Sequence, residues 1–283
     1  MTRIIVDSTC DMPETVIEQY GIEVLPLRVL VDDREYLDGV TITTNEVYDL
    51  MRRGVMPKTS QVNIADTYAR LGELAARGED LLYLAFSSKM SGTCGMVWKV
   101  MEDLKEKYPE RSMCTLDSKG GSFATGLIAI EAAKEAVRGT PFDALVERCR
   151  FLTDHVEHVF VISDLTWMIR GGRISKTLGY TANLLNIKPV LDVDDGEMEV
   201  IQKVRGRRKS MERVAEIVAQ RAQNCPRQTI GITHADDIRA AEEMRGMLQQ
   251  RLPDCRYLIE EIGAVLGVHL GIGGVGVFFF NRM

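Results

Sequence analysis

The feature that most constrains the fold is a repeated order of apolar strand, short polar loop and amphipathic helix in the first half of the chain. Buried strands are predicted over residues 3–6, 81–86 and 113–116, and each leads into a polar loop and a helical pattern. Parallel strands require such a crossover, because the chain must return to the same end of the sheet. We therefore predict a three-layer α/β unit with helices on both faces of a parallel sheet.

The predicted strands of this sheet end in short, hydroxyl-rich segments. These segments are Asp7-Ser8-Thr9, Ser87-Ser88 and Asp117-Ser118. In open parallel sheets, ligands bind beyond the carboxyl ends of the strands. We therefore expect a ligand site at the edge of the sheet where these segments meet.

The second half of the chain mixes a β-hairpin with helices. Apolar patterns on either side of Asp194-Asp195-Gly196 predict a hairpin over residues 188–203, since Asp-Gly favours a turn with positive φ. Helices over residues 211–224 and 236–251 alternate with further strands. We predict two domains, an α/β domain over residues 1–160 and an α+β domain with a mixed sheet over residues 161–283.

Composition and charge exclude several classes of protein. The 283 residues carry 35 basic and 41 acidic side chains, and this net charge of −6 argues against nonspecific binding of nucleic acid over the whole surface. The six cysteines are scattered without a CxxC pair, and no apolar run reaches the roughly 20 residues that span a bilayer. Because a strand-like run follows Met1 directly, we expect no signal peptide. We expect a cytoplasmic protein with reduced cysteines and no stable membrane insertion.

The segment Gly271-Ile272-Gly273-Gly274-Val275-Gly276 matches the GxGxxG pattern by letter only. A dinucleotide site needs a helix after the glycines and an acidic residue about 20 positions further on. Only seven residues follow Gly276, and they resemble a terminal strand. We interpret the glycines as a tight turn or as a close approach of the backbone to something bulky.

Two clusters of short polar side chains are candidates for binding an anion. They are Thr59-Ser60 and Ser91-Gly92-Thr93, and the second stands at the start of a predicted helix. Hydroxyls and backbone amides there form a neutral cradle for a group such as a carboxylate, and His269 beside the glycine-rich segment is a further donor. Capping of the helix is the alternative role of these hydroxyls.

The remaining histidines and the basic segments carry weaker signals. No cysteine or acid stands at ligand spacing from His155 and His158, so we predict no metal site and place this pair at a solvated helix end. The segment Arg170-Gly171-Gly172-Arg173 is suited either to a phosphate or to ion pairs between the domains. The basic run over residues 203–209 is either a solvated turn or a docking site for an acidic partner.

Together and in this order, these motifs resemble the DegV family of bacterial fatty-acid-binding proteins. The resemblance covers essentially the whole chain. Its segments are Asp7-Ser8-Thr9-Cys10-Asp11, Lys58-Thr59-Ser60-Gln61, Ser87-Ser88-Lys89-Met90-Ser91-Gly92-Thr93, Asp117-Ser118, Arg170-Gly171-Gly172-Arg173-Ile174, Leu185-Asn186-Ile187-Lys188-Pro189 and Gly267-Val268-His269-Leu270-Gly271.

The resemblance implies a non-catalytic protein whose two domains clamp a long-chain fatty acid, with no cofactor. By this resemblance the residues that bind the carboxylate are Thr59, Ser91, Thr93 and His269. The implied partner is the catalytic subunit of a fatty acid kinase, which converts the bound acid to an acyl phosphate for phospholipid synthesis. Arg205 is implied to lie on the basic surface where that kinase docks.

Two other functions fit parts of the sequence. A hydrolase or acyltransferase would use Ser91 or Ser88 as nucleophile with His269 as base, and would need an acid to orient the histidine. A nucleic-acid-binding regulator would use the basic run over residues 203–209, against the overall charge.

Overall fold

The computed structural model describes residues 1–174 and 186–283. Its strands are β1 (Thr2–Asp7), β2 (Glu23–Leu25), β3 (Arg28–Val31), β4 (Arg34–Leu37), β5 (Lys58–Ser60), β6 (Asp80–Ala85), β7 (Met113–Asp117), β8 (Val156–Val161), β9 (Ile187–Asp194), β10 (Glu197–Arg205), β11 (Thr229–His234), β12 (Arg256–Glu261) and β13 (Val275–Phe280). Its helices are α1 (Glu14–Tyr20), α2 (Thr44–Arg52), α3 (Ile64–Ala76), α4 (Thr93–Lys107), α5 (Phe123–Val137), α6 (Phe142–Thr153), α7 (Thr166–Gly171), α8 (Arg207–Arg221), α9 (Ile238–Arg251) and α10 (Ala264–Leu270).

The N-terminal half contains the predicted parallel sheet. Its four strands follow the order β2-β1-β6-β7, and all neighbouring pairs are parallel. One face packs against α3 and α4 and the other against α5, so that the strands are buried on both sides. Burial on both faces explains why these strands are continuous apolar runs rather than alternating patterns. The predicted three-layer α/β architecture is confirmed.

A small antiparallel sheet lies beside it. Its order is β4-β3-β5, and β5 carries Thr59 opposite Val29. Pro26 separates β2 from β3. Proline lacks a backbone N–H for the ladder, so the chain leaves the first sheet there and enters the second.

The C-terminal half forms the predicted mixed sheet. Its six strands follow the order β10-β9-β8-β13-β11-β12, and only β11 and β12 pair in parallel. The hairpin β9–β10 turns at Asp195 and Gly196, both with positive φ, as the Asp-Gly pair indicated. The mixed sheet confirms the predicted fold class. The domain boundary near residue 160 stays a prediction.

The two faces of the mixed sheet have different neighbours. Val159, Val161 and Val277 pack among the apolar side chains of α8 and α9. On the opposite face, Phe278 and Phe280 pack into the apolar cluster of α5 and the N-terminal sheet. The mixed sheet thus covers part of the first half of the chain, and a cavity remains between them.

Helix α10 is held by two buried polar contacts from the N-terminal half. The Tyr48 hydroxyl donates a hydrogen bond to the carbonyl of Ile262 at 2.8 Å, and the Gly263 amide donates to Asp11 Oδ1 at 2.8 Å. Asp11 Oδ2 accepts a further hydrogen bond from the Ser122 hydroxyl. Burial raises the pKa of the Asp11 carboxyl to about 8.

We expect the free energy of unfolding to decrease between about pH 6.5 and about pH 8, by up to about 1.4 kcal/mol per pH unit. In this range Asp11 is ionised in the unfolded chain but keeps its proton in the folded chain, so folding binds a proton. The contribution is complete below the unfolded pKa and is lost as the pH rises through the folded pKa. Urea unfolding at a series of pH values measures the slope.

The variant Asp11→Asn is the control for this pH dependence. It retains an acceptor for Gly263 but cannot ionise, so its stability should be nearly constant over the same range. Other buried groups titrate below this range, because the pKa values of His158 and His269 are lowered to about 4 and that of Asp38 is raised to about 6. Equal slopes in the variant and the natural protein would contradict the assignment to Asp11.

The helices of the described ranges give no candidate for a membrane span. Within residues 1–174 and 186–283, no helix combines the length and the apolar character that crossing a bilayer requires.

Candidate functional site

A cavity lies between the mixed sheet and the N-terminal half of the chain. Its volume is about 520 Å³, within the usual range of small-molecule sites. Most of the wall is apolar, and the polar side chains fall into two groups that belong to different elements. Its apolar lining includes Leu27, Val62, Phe86, Met90, Met96, Phe160, Ile162, Val193, Met198, Ile262, Val265, Leu266, Leu270 and Phe278.

The first polar group joins β5 to α10. Thr59 Oγ1 lies 2.7 Å from His269 Nε2, so the hydroxyl and the imidazole share a hydrogen bond across the cavity wall. Both side chains line the cavity, together with Ser91. The structure therefore brings together three of the four residues that were expected to bind a carboxylate.

Thr93, the fourth expected residue, lies behind this wall. Its side chain is fully buried and accepts a hydrogen bond from the Ser91 hydroxyl at 3.0 Å. Ser91 Oγ also accepts from the Thr93 amide at 3.2 Å, at the first residue of α4. The capping role and the binding role of this cluster are therefore not exclusive, since Thr93 holds Ser91 at the cavity surface.

His269 is held in a dry and electropositive environment. Burial and the neighbouring Arg173 charge lower its pKa to about 4, so the imidazole is neutral near pH 7. Its Nδ1 is buried and has no hydrogen-bond partner within the described residues. The ring packs on Gly171, where a Cβ would lie 2.3 Å from Nδ1. Gly171 is thus a glycine because the histidine occupies its side-chain space.

Arg173 is a site residue that the sequence analysis left open between binding a phosphate and forming ion pairs, and did not assign to the carboxylate. It lines the cavity, and its Nη1 and Nε donate to the carbonyls of Gly171 (2.6 Å) and Met90 (3.3 Å). No carboxylate of the described residues forms an ion pair with it. Since a partly buried guanidinium favours an anionic partner, this position suits an acid brought by a ligand. The two arginines of Arg170-Gly171-Gly172-Arg173 were the available signal.

The glycine-rich segment makes room in the floor of the cavity. Gly274 and Gly276 lie on the same face of the sheet as Phe278, and all three line the cavity. A Cβ on Gly276 would lie 2.9 Å from the Phe278 ring. The expected close approach to something bulky is therefore a phenylalanine together with the cavity itself.

The second group of polar side chains includes His158 in the middle of β8. His158 is only 4% exposed and lines the cavity with Ser122 and Thr233. The expectation of a solvated helix end is wrong for this residue, because β8 already begins at Val156. His155 does lie just past α6, where it stacks on Phe151.

The polar segments at the strand ends serve mainly to hold the protein together. Asp7 accepts hydrogen bonds from the hydroxyls of Thr9 and Tyr83, and Ser87 donates to the carbonyl of Gly196 at 2.7 Å. Thr9 nevertheless lines the cavity. The ligand-sized space therefore lies over this edge of the sheet, but the carboxylates there are already engaged.

The basic run divides into exposed and engaged side chains. Arg205, at the end of β10, is exposed, whereas Arg207 donates to Gly273 O at 2.8 Å and pairs with Asp237 at 2.6 Å. Residues 207–209 form the first turn of α8 rather than a loop. The hydrogen bond from Arg207 to Gly273 places the basic run over residues 203–209 beside the loop that follows His269. Arg205 remains a predicted docking residue.

The arrangement does not assemble the groups that nucleophilic catalysis needs. Ser91 bonds to Thr93 rather than to His269, and His269 Nδ1 has no orienting acid in the described part of the chain. The same ranges contain no cluster of histidine, cysteine and acidic side chains that would hold a metal. The chemistry of the site is that of neutral hydrogen-bond donors, apolar surface and the Arg173 guanidinium, since the other lining arginine, Arg28, is paired with Glu35.

The fold and the site define a class: a mixed α/β protein that encloses a large apolar cavity with hydroxyls, an imidazole and a guanidinium in its wall. The family model described as "Uncharacterised protein, DegV family" matches residues 1–282. The chain belongs to the DegV family. Leu185, the first residue of one motif behind the earlier resemblance, lies outside the described residues.

Individual relatives agree over nearly their whole length. A DegV domain-containing protein of Clostridium perfringens is 35% identical over 281 residues, which cover 98% of this chain and 97% of that protein. A fatty-acid-binding DegV family protein from Thermus thermophilus has a TM-score of 0.88 at 27% identity, covering 99% of each chain. DegV from Bacillus subtilis, described as a fatty acid binding protein, has a TM-score of 0.88 at 25% identity and the same coverage.

Proposed function

We propose that this protein binds a long-chain fatty acid and presents its carboxylate to a fatty acid kinase, which forms the acyl phosphate for phospholipid synthesis. The single observation that carries the proposal is the cavity of about 520 Å³, apolar along most of its wall and polar at Thr59, Ser91, His269 and Arg173. The relatives from Thermus thermophilus and Bacillus subtilis, described as binding fatty acids, support it.

The apolar wall provides most of the affinity. Burial of hydrocarbon contributes about 0.8 kcal/mol per methylene, so a chain of roughly sixteen carbons gains over 10 kcal/mol before the cost of ordering. Ionised groups that lose water without a partner oppose binding by several kcal/mol. The carboxylate therefore has to meet donors, and we assign Thr59, Ser91, His269 and Arg173 to that role, with Thr93 behind them.

Each of these donors has a distinct part in the proposed head-group site. In the proposed complex, His269 Nε2 donates to the Thr59 oxygen, and the Thr59 hydroxyl donates to the carboxylate. The Ser91 hydroxyl turns from Thr93 to the carboxylate, and Arg173 supplies the balancing charge. None of them is placed to attack the ligand. The carboxylate would thus be oriented without being consumed, as a protein that passes it to another enzyme requires.

Recovery of the natural ligand tests the binding function. The protein is purified from bacteria, extracted with organic solvent, and the extract is analysed by mass spectrometry. We expect one or more long-chain fatty acids in near-stoichiometric amount. If the extract contains no fatty acid and the delipidated protein takes up none that is added, the proposal fails.

The kinase step is tested with the surface arginine of the basic run. In Arg205→Ala, we expect the rate of partner-dependent acyl phosphate formation to fall about tenfold or more while fatty-acid affinity changes less than about twofold. The reason is that Arg205 is exposed and lies outside the cavity. Phosphorylation assays with the kinase of the same organism, together with binding assays, separate the two effects.

Arg227→Ala is the matched control for this variant. Arg227 is an exposed arginine just before the first residue of β11. The basic run lies beside the loop at Gly273, which contacts Ala235 at the opposite end of β11. The control should phosphorylate at the normal rate. Loss of fatty-acid binding in Arg205→Ala, in proportion to the loss of phosphorylation, would contradict a docking role.

A further inference from the structure

His158 is a feature of the cavity that a plain hydrocarbon chain does not explain. Its ring is fixed between Gly120, where a Cβ would lie 2.2 Å from Nε2, and Phe278, whose ring meets it edge-on at a centroid distance of 5.8 Å. Neither Nδ1 nor Nε2 has a hydrogen-bond partner in the described part of the chain, and both are shielded from solvent. An unpartnered polar group of this kind opposes folding, since it loses the hydrogen bonds that water gave it.

The hydroxyls that line the cavity with His158 already have partners. The Ser122 hydroxyl donates to Asp11, and the Thr9 hydroxyl donates to Asp7. The hydroxyls of Ser122 and Thr233 make a further contact of 3.4 Å. Among these four residues of the described chain, His158 is therefore the one whose side chain keeps unpartnered hydrogen-bonding atoms.

The strand register places His158 away from the proposed carboxylate site, since Val161 pairs with Val275 soon after His269 whereas His158 pairs with Phe278. From His158 the strand β8 and its continuation run four residues to Ile162, about 13 Å at the usual rise of a strand. The chain then continues through α7 to Gly171, on which His269 packs. His158 and His269 therefore lie toward opposite ends of the cavity, and a chain anchored beside His269 would bring its distal half to His158.

We propose that the preferred ligand is a long-chain fatty acid with a hydroxyl group in the half of the chain distal to the carboxylate, bound there by His158. The inference rests on the proposed fatty-acid binding and specifies its substrate class. A neutral imidazole offers one donor and one acceptor, and a hydroxyl both donates and accepts. Burial keeps His158 neutral by lowering its pKa to about 4.

The test compares matched pairs of ligands on the delipidated protein. The pairs are palmitate with ω-hydroxypalmitate, and stearate with a distal-chain hydroxystearate. We expect at least one hydroxy acid to bind about tenfold more tightly than its parent. If each hydroxy acid binds no better than its parent, the inference is overturned while fatty-acid binding stands. If no acid of either kind binds, the proposed function itself fails.

Variants assign the preference to His158. In His158→Leu, the preference for the hydroxy acid should disappear while the parent acid binds at least as tightly as before. In His158→Gln, which keeps a donor and an acceptor, part of the preference should remain. His155→Leu is the control, because that ring lies outside the cavity on Phe151. An undiminished preference in folded His158→Leu would overturn the assignment, and His158→Gln decides it should the leucine variant fail to fold.

Discussion

Replacing Gly274 by leucine is expected to weaken binding of palmitate by about a hundredfold. Gly274 lines the cavity from the position just before β13, and a Cβ there meets its nearest neighbours only at 3.7 Å. The four added carbons would therefore occupy ligand space rather than displace protein. Excluding about four methylenes of the ligand costs roughly 3 kcal/mol, which corresponds to the hundredfold loss of palmitate affinity.

Titration calorimetry or competition with a fluorescent fatty acid measures this loss. Because Gly274 is not among the glycines with positive φ, leucine is not strained there, and the variant should unfold at about the same denaturant concentration as the natural protein or higher. Gly246→Leu is the matched control, since Gly246 lies on α9, has open space around it and does not line the cavity. Unchanged palmitate affinity in a folded Gly274→Leu protein would show that the chain binds elsewhere.

The predicted architecture agrees with the structure for those elements whose conformation is determined by their local sequence. The parallel strands, the α4 helix starting at Thr93 and the Asp195-Gly196 hairpin each follow from local apolar patterns or turn chemistry. Strand β5 of the small sheet does not follow from such a pattern, because it is only three residues long and is formed by pairing with β3. Helix α10 was missed for a similar reason, because its mostly apolar sequence matches a buried strand as well as a helix.

The sequence predicted individual residues of the site but not the contacts between them. Thr59, Ser91 and His269 were named in advance, and the distance of 2.7 Å between Thr59 and His269 joins residues 210 positions apart. A hydrophobic periodicity in the sequence cannot predict a contact between residues so far apart. Arg173 and His158 were not assigned, because an arginine after glycines and a lone histidine have many structural uses. Their roles are inferred from missing contacts within the described residues. Arg173 has no carboxylate in an ion pair with it, and His158 has no hydrogen-bond partner.

The other large expected effect concerns the charge of the carboxylate site. In Arg173→Met, the affinity for palmitate should fall between about tenfold and about a hundredfold, the range for a hydrogen bond to a charged group. Methionine keeps an apolar side chain of similar length but removes the guanidinium. Since burial and Arg173 hold the pKa of His269 at about 4, the histidine does not provide the missing charge near pH 7.

Palmitate and its methyl ester distinguish this electrostatic loss from a structural one. Arg173 also donates to the carbonyls of Gly171 and Met90, and loss of these contacts would affect the wall for any ligand. The natural protein should prefer the acid to the ester, and Arg173→Met should lose most of that preference because the ester carries no charge. A parallel loss of affinity for both ligands would instead mean that Arg173 acts only by holding the wall, and the charge of the fatty acid would then be balanced by another group.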